Sequence, residues 1–169
     1  MKDLVKSDLF RHAGKSDFKT FWKYYFRIPG FKFMVVLRNL KKCKRYSLSW
    51  FLYSYLYRRY SHRYHFQIYT STTIGKGFYI GHWGPILIHP ESIIGDNCTI
   101  SHNITIGQTN RGKNKGAPVI GDKVFIGAGA VLVGKIKIGD EVLIAPNSYV
   151  NMDVPSRSIV MGNPAKIIH

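Results

Sequence analysis

A chain of 169 residues with 45% hydrophobic residues and a formal net charge of +16 has room for one domain and an appendage, with apolar content enough for a core. Its two cysteines, Cys43 among lysines and Cys98 at an apolar repeat position, sit in very different settings, which points to reduced thiols and a cytoplasmic chain rather than a disulfide scaffold. The opening MKDLVKSDLF lacks the apolar run of a signal peptide.

The charge is uneven. Residues 1–65 hold 16 Lys and Arg against 3 Asp and Glu, a net of +13, together with 17 of the 24 aromatic residues. Residues 66–169 hold 9 against 6, a net of +3. The chain therefore divides near Tyr64–Phe66 into a basic, aromatic cap (1–65) and a nearly neutral second part (66–169).

In the cap, Phe18, Phe21, Trp22, Tyr25 and Phe26 fall on one helical face flanked by Lys19 and Lys23, and Pro29-Gly30 ends that helix. Phe33, Val36, Leu37 and Leu40 predict a second helix, which runs into Lys41, Lys42, Lys44 and Arg45. A third apolar segment, Tyr46 to Tyr57, closes with Arg58 and Arg59. It is well short of the ~20 residues that span a bilayer. Two readings fit: a helical cap with solvated charges over the end of the fold that follows, and a cationic, Trp/Tyr-rich surface resting on anionic lipid. Both can hold together. Nucleic acid is not expected as a partner, because no helix-turn-helix, zinc or RNA-binding signature accompanies the charge.

From Ile68 onward an aliphatic residue returns every six positions. Ile68, Ile74 and Ile80 are in step, then after a jump Ile94, Ile100 and Ile106, then after a second jump Ile120, Ile126, Leu132, Ile138, Ile144 and Val150. The fifth position is again apolar or small, as at Cys98, Ile104, Val124, Ala130, Ile136, Val142 and Ser148. A period of six fits neither a helix nor an alternating strand. It predicts a mainly β fold, a parallel β-helix in which each coil pairs with the coils above and below.

Three units make one triangular coil, so positions 18 apart stack, ~4.8 Å per layer. Ile80 to Ile94 exceeds two units by two residues, which places a bulge around His82-Trp83-Gly84-Pro85. Ile106 to Ile120 exceeds one unit by eight, so Gly107 to Val119 leaves the coil as a loop. Corrected for the bulge, His82 and His102 share a corner one layer apart, and the same column continues through Ala128 and Pro146. Beside it Gly81, Ser101, Gly127 and Ala145 make a track of small residues, suited to a long thin ligand with a reactive tip. His89, before Pro90, reads as structural, and His12, His62, His65 and His169 have no evident partner.

Ile74-Gly-Lys-Gly-Phe-Tyr-Ile-Gly-His82, Thr105-Ile-Gly-Gln-Thr109, Ile126-Gly-Ala-Gly-Ala130 and Gly162-Asn-Pro-Ala-Lys166 resemble the left-handed β-helix acyltransferases, serine acetyltransferase most closely, over about residues 66–168. The resemblance implies a homotrimer with sites between neighbouring prisms and acetyl-CoA lying along the groove. By position it assigns His82 as catalytic base, Gly107 and Thr109 to the thioester end, Ala128 and Pro146 to the pantetheine arm, and Lys166 to the nucleotide end. The departures concern the acceptor. Gly81 stands where that family has an Asp, Gln67 where a carboxylate orients the His, and Gly116-Ala117 where an Arg-His pair precedes the proline. The groups that grip a free amino acid are missing.

The expectation is an acetyl-CoA-dependent O-acetyltransferase acting on a sugar hydroxyl in bacterial surface-polysaccharide biosynthesis, with direct transfer and no metal. His82 is its general base and His102 a further active-site residue that orients or contacts substrate. It is expected in the cytoplasm, with peripheral contact to the inner face of the membrane through residues 1–65. An N-acyltransferase of an amino sugar and a serine acetyltransferase-like enzyme on another small hydroxylated acceptor are the alternatives. A carbonic-anhydrase-like solenoid needs three zinc ligands, which the spacing 82–89–102 does not supply. A structural trimerisation module is the remaining reading.

Overall fold

The computed structural model describes residues 3–169. Four helices come first: α1 (Asp3–Ala13), α2 (Phe18–Arg27), α3 (Pro29–Leu40) and α4 (Leu48–Tyr64). The Asp17 side chain accepts the Thr20 N–H at the start of α2, and the Ser47 hydroxyl accepts the Trp50 N–H at the start of α4. Pro29-Gly30 separates α2 from α3, as expected, and also starts α3, with Pro in its first turn and Ile28 capping both helices. Two features differ from the sequence expectation. Helix α1 was not anticipated, because its buried face holds the polar Asp8 between Val5 and Leu9. Helix α4 continues past Arg58 and Arg59 to Tyr64, where His65 in the left-handed region (φ 58°) stops it.

Five coils of a left-handed β-helix follow. The first comprises β1 (Phe66–Ile68), β2 (Thr73–Ile74) and β3 (Tyr79–Ile80), and the second β4 (Ile86–Ile88), β5 (Ile93–Ile94) and β6 (Thr99–Ile100). The third comprises β7 (Ile104–Gly107), β8 (Val119–Ile120) and β9 (Phe125–Ile126), and the fourth β10 (Val131–Val133), β11 (Lys137–Ile138) and β12 (Leu143–Ile144). The last holds β13 (Tyr149–Val150) and β14 (Ile159–Met161), and β15 (Lys166–Ile167) turns back antiparallel against β14. The strands stack into three parallel faces: β1-β4-β7-β10-β13, β2-β5-β8-β11, and β3-β6-β9-β12-β14.

The pairing shows where the six-residue phase is broken. Ile80 pairs with Ile100 and Ile86 with Ile104, so the two extra residues lie between Ile80 and Ile86. Thr105 pairs with Val131, a step that includes the eight-residue loop. Past Val150, where the sequence pattern stops, Val154 bridges to Ile138 and Ile159 pairs with Leu143. The last coil is thus two residues short, and buried Val154 and Val160 continue the core.

One edge explains the recurring Gly-Asp pairs. Asp96, Asp122 and Asp140 each use a carboxylate oxygen to accept a backbone N–H from the coil below, at 2.7–2.9 Å. Each carboxylate lies over a glycine, and a Cβ at Gly75, Gly95 or Gly121 would collide with it.

Helix α3 plugs the open end of the prism. Phe33, Met34 and Leu37 join Phe66, Ile68, Ile74 and Phe78 in one buried cluster, where each large apolar side chain contributes about 1.5–3 kcal/mol. Gly30 permits the close approach, since a Cβ there would lie 2.5 Å from the Ile80 carbonyl oxygen. Buried Arg38 donates to both Asp8 carboxylate oxygens (2.9 and 3.1 Å) and to the carbonyls of Ile74 and Gly75. Asp8 also accepts the Phe78 N–H. This ion pair ties α1 and α3 to the first coil. Helices α3 and α4 therefore share the core of the β-helix, and Val5 and Leu9 of α1 form a second, smaller cluster with Phe31 and Val35 of α3.

Candidate active site

The edge between the third and first faces gathers the histidine column. The rings of His82 and His102 lie 5.7 Å apart and nearly perpendicular (88°). The His102 carbonyl accepts the Gly129 N–H (3.1 Å), and the Ala128 carbonyl accepts the Asn147 N–H (2.9 Å), so backbone bonds climb the edge past Ala128 and Pro146. At its far end Gly162 accepts the Tyr149 N–H, Ala165 donates to the Tyr149 carbonyl, and exposed Lys166 pairs with Met161. His82, His102, Ala128, Pro146 and Lys166 thus follow one edge in that order.

Gly107 and Thr109 do not join them. They lie on the next edge, between the first and second faces, where the loop closes on itself through paired Thr109–Gly116 hydrogen bonds of 3.0 Å. Asn114 pins the loop to the fourth and fifth coils, its carbonyl accepting the Lys135 N–H and its side chain donating to the Asn151 carbonyl. A strand of three residues, ~10 Å, separates the two edges. These bonds tie the loop along its own edge, away from the histidines of the same chain.

His82 is exposed, and Gln67 does not orient it: the Gln67 amide donates to the Tyr69 hydroxyl at 2.7 Å. Among the described residues no set of three His, Cys, Asp or Glu side chains converges. Burial pushes the Cys98 thiol up to about 11, and it donates to the Gly121 carbonyl, so it is a core residue rather than a nucleophile. His12, without a partner on paper, packs against Tyr79 and Phe31, and burial, with Arg11 beside it, pulls it down to about 4.

The sequence reading missed a cavity of about 490 Å³ beneath α4, lined by Tyr57, Arg58, Ser61, His62, His65 and Gln67. It adjoins the bulge, because Gly84 donates to the Tyr64 carbonyl and Ile86 to the His65 carbonyl. No Asp or Glu occurs between Asp17 and Glu91, so the flanking sequence offers no carboxylate to Arg58 at the cavity. The signal was present in Ser61-His-Arg-Tyr-His65, which enters the first face one coil below the bulge.

A three-faced parallel coil with this edge is the fold of the hexapeptide transferases, and residues 117–151 match the family described as bacterial transferase hexapeptide (six repeats). A serine acetyltransferase of Helicobacter pylori is 39% identical over 102 residues, 60% of this chain and 60% of that protein. Soybean serine acetyltransferase complexed with serine superposes with a TM-score of 0.79 at 30% identity, covering 98% of this chain and 68% of that one. Serine acetyltransferase in complex with coenzyme A from Brucella abortus strain S19 gives 0.82 at 26% identity, covering 98% and 66%. The chain belongs to the left-handed β-helix acyltransferases of the hexapeptide-repeat family and is serine acetyltransferase-like. It spans about 60% of the length of the H. pylori relative. The structural likeness takes in the helices, which the sequence motifs did not reach.

Proposed function

We propose that this protein is an acetyl-CoA-dependent O-acetyltransferase of the serine acetyltransferase type, acting on a small hydroxylated acceptor with His82 as general base. The observation that carries it is the pairing of His82 and His102 at the head of a small-residue edge that ends at Lys166. Ala128 and Pro146 put no long side chain on the edge, which leaves space for a narrow pantetheine arm, and the Lys166 cation suits phosphate. Acetyl-CoA supplies the activated acyl group. The His82 ring takes the proton of the acceptor hydroxyl as that oxygen attacks the thioester carbonyl, and returns it to the departing thiolate, which leaves as the free thiol. Backbone N–H groups at the bulge or loop stabilise the oxyanion.

The relatives favour this reading over a sugar hydroxyl in surface-polysaccharide assembly. The sugar reading, with an amino-sugar N-acyltransferase beside it, keeps one supporting observation: Gly81 and a Gln67 engaged by Tyr69 stand where the serine enzymes carry carboxylates. The acceptor enters from the α4 side, since the donor fills the other. Gly107 and Thr109 complete the site from a neighbouring copy in a trimer. The basic helices of residues 1–65 keep the enzyme at the cytoplasmic face of the membrane. Incubation with acetyl-CoA and either L-serine or sugar acceptors, read by mass spectrometry, decides between the acceptors: O-acetylserine supports the first reading and an acetylated sugar the second.

A further inference from the structure

Leu48, Phe51, Leu52 and Tyr55 of α4 are 87, 56, 56 and 61% exposed. Their spacing of three and four residues lines them up as one stripe on the helix surface, while Tyr57, Tyr60 and Tyr64 of the same helix pack against or within the core. Cations bracket the stripe: Lys41, Lys42, Lys44 and Arg45 precede it, and Arg58, Arg59 and Arg63 follow. With no carboxylate between Asp17 and Glu91, this surface is apolar in the middle and of one sign at both ends.

We propose that this face of α4 lies flat in the interface of a bilayer that carries anionic lipid. The proposal narrows the membrane contact of residues 1–65 to one helix face and does not depend on the acyl-transfer reading. Two occupants can cover such a stripe, and charge separates them. A second copy meeting it face to face sets the same cations against each other with no carboxylate to answer them, and a copy meeting it head to tail in a ring offers residues 66–169, whose own net charge is +3. An anionic membrane supplies both the counter-charge and an apolar layer for Leu48, Phe51, Leu52 and Tyr55. Among the described residues no helix is long and apolar enough to cross a membrane, so the contact is in the plane. Helix α2 also exposes Phe18, Trp22 and Phe26, at 77, 43 and 69%, but the Asp17 carboxylate caps its start beside Phe18, so its rings are not bracketed by cations alone as the α4 stripe is. The last turn of α4 supports the bulge through Gly84 and Tyr64, so a surface-bound α4 holds the His82 edge near the lipid headgroups.

The test is co-sedimentation of the full-length chain at low salt with vesicles of phosphatidylcholine plus phosphatidylglycerol, against phosphatidylcholine alone. The expected result is about tenfold stronger binding to the anionic vesicles, lost about tenfold in Phe51→Ser/Leu52→Ser and changed less than about twofold in Phe18→Ser on α2. All three side chains are exposed, and a thermal melt of each variant checks that the fold is kept. Absence of a lipid-charge preference, full binding by the double variant, or equal loss in Phe18→Ser overturns the proposal. So does a double variant that breaks up an assembly of copies while the wild type ignores vesicles. Acetyl-CoA binding measured on the same wild-type sample bears on the proposed function alone.

Discussion

His82 and His102 share an edge but are assigned different work. If His82 moves the proton, His82→Ala lowers kcat by ~10²–10⁴ and leaves acetyl-CoA affinity within about threefold, while His102→Ala costs less. Steady-state kinetics with a separate binding measurement checks this, and abolition of turnover by His102→Ala alone reverses the assignment. A third histidine does different work: His12 is buried against Tyr79 and Phe31, and burial lowers it from 6.5 to about 4. The unfolded chain then binds this proton more tightly than the folded one. The stability it confers is fully present above pH 6.5 and is lost as pH falls toward 4, by up to about 3 kcal/mol. Urea unfolding between pH 7 and 4.5 should therefore show a smaller acid loss for His12→Phe than for the wild type. An identical pH profile in the two contradicts the buried, neutral His12.

At the scale of elements, the Arg38–Asp8 pair bears the strongest consequence. Burial raises the Asp8 carboxyl, and Arg38 and the Phe78 N–H oppose that rise. Arg38→Met leaves the carboxylate buried with backbone N–H donors alone and also strips the Ile74 and Gly75 carbonyls of their Arg38 donors. A loss of about 3–5 kcal/mol is expected in denaturant unfolding; a loss under about 1 kcal/mol contradicts the latch. Neither partner was legible beforehand, because an ion pair between residues 30 apart leaves no periodic trace, and Asp8 itself broke the apolar pattern of α1. The coils were legible for the opposite reason. Each inward position repeats at a fixed interval, so the phase breaks after Ile80 and Ile106 located the bulge and the loop. The same logic aligned His82, His102, Ala128 and Pro146. It stopped at Val150 because the two-residue shortening before Val154 shifts the phase beside Pro155. It missed the cavity beneath α4 because that depends on how far a helix runs, and Arg58-Arg59 read as an end.

For the whole molecule, the decisive fact is that Gly107 and Thr109 occupy a different edge from His82. A site that uses both needs two copies. A Cβ at Gly107 meets nothing closer than 3.6 Å, so the backbone there accepts a side chain, and Gly107→Trp is expected to obstruct the groove, with a thermal melt checking that the fold is kept. Mixing His82→Ala chains with Gly107→Trp chains should restore part of the wild-type rate, because some shared sites in mixed assemblies then hold an intact histidine and an intact loop. No recovery places the site within one chain. The claim beneath all of this is that the histidine edge transfers acetyl groups, and mass spectrometry of the acceptor after incubation with acetyl-CoA tests it most directly. The account predicts an acceptor 42 Da heavier for each acetyl group gained (about the mass of C2H2O), seen with the wild type and nearly absent with His82→Ala. An unmodified acceptor panel with no acetyl-CoA binding, or undiminished transfer by His82→Ala, contradicts it.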